Sequence, residues 1–226
     1  ETNADSTLAL EVFSSMADNE TFDDMDFGDE GQEQFDQMME DAVFSAADSE
    51  EGAMMLANIM TEVDADTMGT MMDTIQTVGE TNADSTLALE VLSSMADSES
   101  FDDMDFEDEG QEQFDQMMEE AVFSAVDSEE GAMMLANIIT KGDAITAGAM
   151  LDNIAIVSAK DPYSTLAVEV MSSVATTAST SNTYIDTNKM VQFTEFINTT
   201  TSTTLATTAA TTAIDDVATT ALSTTA

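Results

Sequence analysis

Apolar residues along this chain recur every three or four positions, in short bursts separated by acidic or Thr-rich gaps. In residues 6–17 they fall at Leu8, Val12 and Met16, with Leu10 and Phe13 flanking the stripe. At about 3.6 residues per turn this spacing gathers them on one face of a helix. The same pattern predicts helices over 32–46, 50–61 and 65–78. Phe35, Met38, Met39, Ala42 and Val43 form the apolar side of the first of these. Met54, Met55, Leu56, Ile59 and Met60 give the next a broad apolar surface, and Met68, Met71, Met72, Ile75 and Val78 mark the last. Asp5 or Ser6, Asp48-Ser49 and Asp64 stand where a short side-chain oxygen can accept the free amides of a first turn. Gly79 stands where a left-handed residue would end the fourth helix.

The pattern then starts again. ETNADSTLALEV at 1–12 returns at 80–91, a period of 79 residues, and the copy continues through GQEQFDQMME at 31–40 and 110–119. GAMMLANI at 52–59 returns at 131–138, so Met133, Met134, Leu135 and Ile138 repeat the packing face of Met54, Met55, Leu56 and Ile59. A third, eroded copy keeps the register, with STLAVEVMSSV at 164–174 answering STLALEVLSSM at 85–95. Its acidic stretch is replaced by TTASTSNTYIDTNK, predicted to be a loop, and its later helices dissolve into Thr and Ala. The chain therefore divides into repeat unit 1 (1–79), repeat unit 2 (80–158), a partial divergent unit 3 (159–197) and a Thr/Ala-rich low-complexity tail (198–226). The tail reads as a linker, an O-glycosylated stalk or a Thr-rich element. Helices shorter than about 12–15 residues are marginal alone in water, so each must gain stability by stacking on the next. Small residues inside the predicted helices (Ala57, Gly69, Ala136, Gly148) would let backbones approach closely. The predicted fold is all-α: tandem helical repeats, an α-solenoid or concatenated small helical bundles with acidic loops.

Composition narrows the chemistry. The chain has no Cys, His or Trp, and its three basic residues are Lys141, Lys160 and Lys189. Thiolate and imidazole nucleophiles, Ser–His–Asp triads, and zinc or haem held by nitrogen or sulfur are all excluded, as is a bidentate Arg clamp. This inventory points away from an enzyme. Of the 47 acids, 39 lie in residues 1–140, which hold no basic side chain, and the formal net charge is −44. Such a surface repels nucleic acid and anionic lipid. It also makes neighbouring copies repel one another, to a degree set by salt and divalent cations. No apolar run is long enough to span a membrane. The chain opens without Met or a signal peptide, in the same context that restarts at Glu80, as expected for a piece of a longer array.

One motif rises above the acidic background. DFGDEG at 26–31 and DFEDEG at 105–110 resemble the calcium loop of EF-hands. Asp26 and Glu30, and in the second copy Asp105, Glu107 and Glu109, fall at oxygen-bearing positions of that loop, with Gly31 and Gly110 at its bend. In the third copy Asp186, Asn188 and Glu195 fit the same register. Each copy also departs from it: Gln37 and Gln116 stand where a bidentate Glu closes the loop, and Tyr184 and Lys189 replace the first Asp and the Gly. The resemblance implies a weak Ca²⁺ or Mg²⁺ site; the alternative is a solvated acidic loop. The 19 Met residues sit at helical core spacing and read as packing, with Cu(I) binding or a partner groove as lesser readings. Glu50-Glu51, Glu129-Glu130 and Glu119-Glu120 read as first-turn helix acids or solvated faces, not acid–base pairs. No catalytic residues and no organic cofactor are expected.

The function expected from these features is structural: a fragment of a long extracellular or cell-surface array that assembles with copies of itself into a filament or stalk. The alternatives are a scaffold whose concave face holds a basic or amphipathic partner, or a weakly calcium-responsive element.

Overall fold

A computed structural model describes residues 4–17, 28–47, 49–63, 65–82, 85–98, 101, 108–126, 128–160, 164–181 and 187–200. Every regular element among them is helical: α1 (Ala4–Ala17), α2 (Gly28–Ala46), α3 (Glu50–Met60), α4 (Ala65–Thr81), α5 (Leu87–Ala96), α6 (Asp108–Ser124), α7 (Glu129–Lys141), α8 (Ala144–Lys160), α9 (Leu166–Ser181) and α10 (Thr187–Thr200). The all-α expectation holds. No described helix is long and apolar enough to cross a membrane.

The local signals act as physical chemistry requires, and twice over. Ser49 Oγ accepts the Gly52 amide at 3.0 Å, and Ser128 Oγ accepts the Gly131 amide at 3.0 Å, opening α3 and α7. Glu50-Glu51 and Glu129-Glu130 occupy those first turns, where carboxylates favour the positive end of the helix. At the starts of α5 and α9 a second device repeats. Thr86 donates to Glu90 at 2.6 Å and Thr165 donates to Glu169 at 2.7 Å, each clamping the first turn four residues ahead.

Two predicted boundaries move. Gly79 does not end the fourth helix; α4 continues through it to Thr81. Thr74, Thr77 and Thr81 each donate to the carbonyl four residues back (2.9, 3.0 and 2.8 Å), so the last turns are tied by side chains as well as backbone. The third copy's predicted loop also begins later. α9 runs to Ser181, with Thr176 donating to the Ser172 carbonyl at 2.9 Å. α10 covers the first three residues of the tail, and the expectations for 201–226 lie outside the described residues.

The chain forms two compact units, Glu1–Ala121 and Val122–Ala226. In the first, α3 packs on both α1 and α5, α2 packs on α1, α3 and α4, and α4 packs on α5. Phe13 of α1 meets Phe35 of α2 edge to face at 5.2 Å between ring centres. Leu56, Ile59, Met60, Met72, Ile75, Leu89, Leu92 and Met95 fill the space between helices. In the second unit α7 packs on α8 and α9, and α8 packs on α9 and α10. Leu135, Ile138, Ile139, Met150, Ile154, Val170 and Phe193 are its dry centre. The packing positions expected at Leu56, Ile59, Met71, Met72, Ile75, Leu135 and Ile138 are buried, and Met55 and Met134 are half-buried. Met54 and Met133 are exposed instead of packed inside. The buried arc of α3 is set by Ala53, Leu56, Ala57, Ile59 and Met60, and Met54 lies about 200° around the helix from Leu56.

Gly52 and Gly131 give this packing a sharp test. A Cβ on either would stand 2.7 Å from the backbone Cα of Ala46, the last residue of α2, or of Ala125, just after α6, respectively. Alanine in place of a helical glycine ordinarily stabilises by about 1 kcal/mol. Here the clash is with main chain and outweighs that gain, since overpacking costs about 1–3 kcal/mol. Gly52→Ala and Gly131→Ala are each expected to destabilise by about 1–2 kcal/mol, read from the midpoint of urea unfolding.

Candidate functional site

On α3, Glu51, Met54, Met55, Asn58 and the C-capping Thr61 follow spacings of three and four, opposite the buried arc. Together with Ser14 of α1 and Ser94, Met95, Asp97 and Ser98 of α5 and its C-terminus they line a cleft of about 510 Å³ in the first unit. Met95 is fully buried and Met55 half-buried, whereas Met54 is exposed. The lining thus pairs thioethers with two carboxylates, Glu51 and Asp97, and with hydroxyls. Such a surface can hold an apolar side chain and a neighbouring cation. The exposed thioether recurs at Met133 on α7.

The metal-site expectations meet a different geometry. Asp26, Asp105, Glu107 and Asp186 lie outside the described residues. Glu30 is in the first turn of α2 and Glu109 in the first turn of α6, because these helices open at Gly28 and Asp108. Gly31 and Gly110, expected to bend a loop, are therefore helical. In the third copy Asn188 and Glu195 are both exposed on α10, seven residues apart, with about 10 Å of helix rise between them. A loop wrapped around an ion cannot form on that helix. Among the described residues no group of three or more acids could hold a metal. Lys189, which replaces the loop glycine, is buried, and its Nζ donates to the Thr140 carbonyl at 3.0 Å in the last turn of α7. Its positive charge sits where the helix end is negative.

Sequence reading missed a set of seats between helices. Gln113 of α6 lies against Gly69 of α4, where a Cβ would stand 2.6 Å from its Oε1. Gln192 of α10 lies against Gly148 of α8, where a Cβ would stand 2.8 Å from its Nε2, and it donates to the Ala144 carbonyl at 2.6 Å. The two glycines and the two glutamines stand at corresponding places of the sequence repeat. In a further seat, the Glu120 carboxylate of α6 occupies the space a Cβ on Gly79 would fill. The isolated glycines inside apolar helical patterns were the available signal, but they did not name their partners.

Glu120 also corrects the expectation that Glu119-Glu120 is simply a solvated face. Glu119 is exposed, but burial against α4 pushes the Glu120 carboxyl up to about 7, with the Glu80 carboxylate adding to the shift. Scans of the chain against protein families, curated proteins and solved structures return no match.

The sign of the Glu120 effect follows from its raised value. The unfolded carboxyl ionises near 4.5, so the folded state binds the extra proton between pH 4.5 and about 7. Stability from this group is full below that window, falls through it and is flat above. Glu120→Gln is expected to flatten the decline and raise stability at pH 8 by about 1 kcal/mol, after discounting for solvent at the carboxylate. Thermal melts of both proteins at pH 5 and pH 8 measure the difference.

Proposed function

We propose that this chain is a non-enzymatic structural repeat protein, a stretch of a long extracellular or cell-surface array that self-assembles into a filament or stalk. The observation that carries the reading is the recurring seat between successive sequence repeats. Gln113, in the second copy, sits on Gly69 in the first, and Gln192, in the third, sits on Gly148 in the second. Likewise α5 packs on α3 and α9 on α7. A unit whose dry interfaces are completed by the next unit is a module for stacking. When such an interface is heterologous and does not close on itself, it propagates as a filament. The acidic outer surface supplies solubility and a stiffness tuned by ions, since raising salt from 0.1 to 1 M shortens the screening length from about 10 Å to about 3 Å. The extracellular setting rests on the acidic charge and the modular sequence.

A second reading, a binding module, is favoured by the cleft beneath Met54. Its thioethers and its two carboxylates complement a basic amphipathic helix laid into a groove.

Negative-stain microscopy and sedimentation separate these readings. The array reading expects particles that lengthen with concentration and with millimolar Ca²⁺ or added salt; a compact monomer under every condition overturns it. The binding reading expects a cationic amphipathic peptide to bind with salt-sensitive affinity. Met54→Gln should weaken that binding about tenfold while leaving helicity intact, as for loss of one well-packed apolar contact. Equal binding by both proteins removes the cleft.

A further inference from the structure

One seven-residue sequence appears twice in identical form, STLALEV at 6–12 and 85–91, and a third time as STLAVEV at 164–170. The three copies form helices with different surroundings. Leu87 and Leu166 are 2% and 1% exposed, but Leu8 is 57% exposed. Val91 and Val170 are 0% exposed, but Val12 is 38% exposed. The difference is confined to one stripe. Ala9, Leu10 and Phe13, on the other side of α1, are as dry as Ala88, Leu89 and Leu92 of α5. Polar members of the stripe follow the same trend: Glu11 and Ser15 are exposed, whereas Glu90, Ser94, Glu169 and Ser173 are half-buried.

The contacts of the helices account for the contrast. α5 packs on α3 and α4, the two helices immediately before it, and α9 packs on α7 and α8, again the two before it. α1 packs on α2 and α3, which follow it. The stripe that is covered in α5 and α9 is therefore the one facing a preceding helical pair. Because 6–12 and 85–91 are identical, α1 carries every side chain needed to accept the same cover.

We propose that the Leu8–Val12 stripe of α1 is a docking surface for a helical pair of the α3–α4 kind, carried by a further repeat of this sequence. The proposal rests on the array reading above and names its interface. The occupant is an acidic amphipathic hairpin with the α3–α4 apolar face of Leu, Ile and Met. Its other face must stay solvated, since both sides of the joint carry net negative charge.

The test uses the full chain with an additional copy of residues 1–79 placed ahead of it, which recreates the Gly79–Glu80 junction at the new joint. The chain has no Cys, so a single introduced thiol reports on one position. In the chain alone, Leu8→Cys should react with a maleimide at least tenfold faster than Leu87→Cys. In the extended chain, Leu8→Cys of the copy now internal should slow to the Leu87→Cys rate. Ser15→Cys compared with Ser94→Cys gives the same reading at positions whose substitution leaves the core intact. A Leu8 thiol that labels as fast in the extended chain as in the original overturns the proposal. Leu8→Asp with Val12→Asp separates its failure from that of the array. Filaments of unchanged length from the doubly substituted protein would keep the array and remove this surface. Protection in the extended chain without any filament would keep the surface and remove self-assembly.

Discussion

The constraint on which everything else depends is that no helix here can dry its own apolar face. The described helices run from 10 to 19 residues, and α2 and α6 are dense in carboxylates. Lengths like these are marginal in water, and like charges along a helix weaken it further. The missing stability is supplied by contact with other helices. α3 illustrates it: with only 11 residues it is packed on α1 and on α5, and Leu56, Ile59 and Met60 are lost from solvent entirely. Removing either neighbour would uncover part of the same core. Stability is therefore shared between successive stretches of chain.

Sharing a core among short helices demands close approach, and glycine provides it in two physically different ways. Gly52 and Gly131 let the chain turn back so tightly that main chain meets main chain at the start of a helix. Gly69, Gly148 and Gly79 instead open a recess within a helix for a long polar side chain from another. The first kind tolerates no added atom because backbone cannot move aside. The second kind is softer, since the far end of Gln113, Gln192 or Glu120 can swing. Methionine completes the packing. Met60, Met72, Met95, Met117 and Met118 are fully buried, and their unbranched chains fill gaps left where helices of unequal length meet.

Charge works against this packing and is kept mostly in water. With a net charge of −44, the protein gains by leaving carboxylates at helix N-termini and on outer faces. Glu120 is an exception, pressed against α4 beside Glu80, and its proton affinity rises accordingly. The three lysines are placed where each changes a local field. Lys189 neutralises the end of α7 from inside the core, Lys160 lies over the Phe123 ring at 5.1 Å, and Lys141 ends α7. All three fall in the stretch where the acids thin out.

Much of this was already written in the order of residues. Spacings of three and four identified the helices, Asp48-Ser49 before paired glutamates placed the start of α3, and the missing Cys, His and Arg removed whole classes of chemistry. These are local properties, set by turn geometry and side-chain inventory, so a linear reading reaches them. The acidic hexapeptides admit two readings, because Asp-rich segments with a glycine suit both a calcium loop and the first turn of a helix. The backbone is helical from Gly28 and Asp108 onward. Other features had no local signature. Gly79 looks like a helix end until the hydroxyl of Thr81 and the carboxylate of Glu120 are placed around it. The outward turn of Met54 depends on which arc of α3 its neighbours claim. Most plainly, 6–12 and 85–91 are the same seven residues, yet Leu8 is wet and Leu87 dry. Sequence determined what each helix can bury; which helix lies on it is a non-local fact that only the tertiary structure decided.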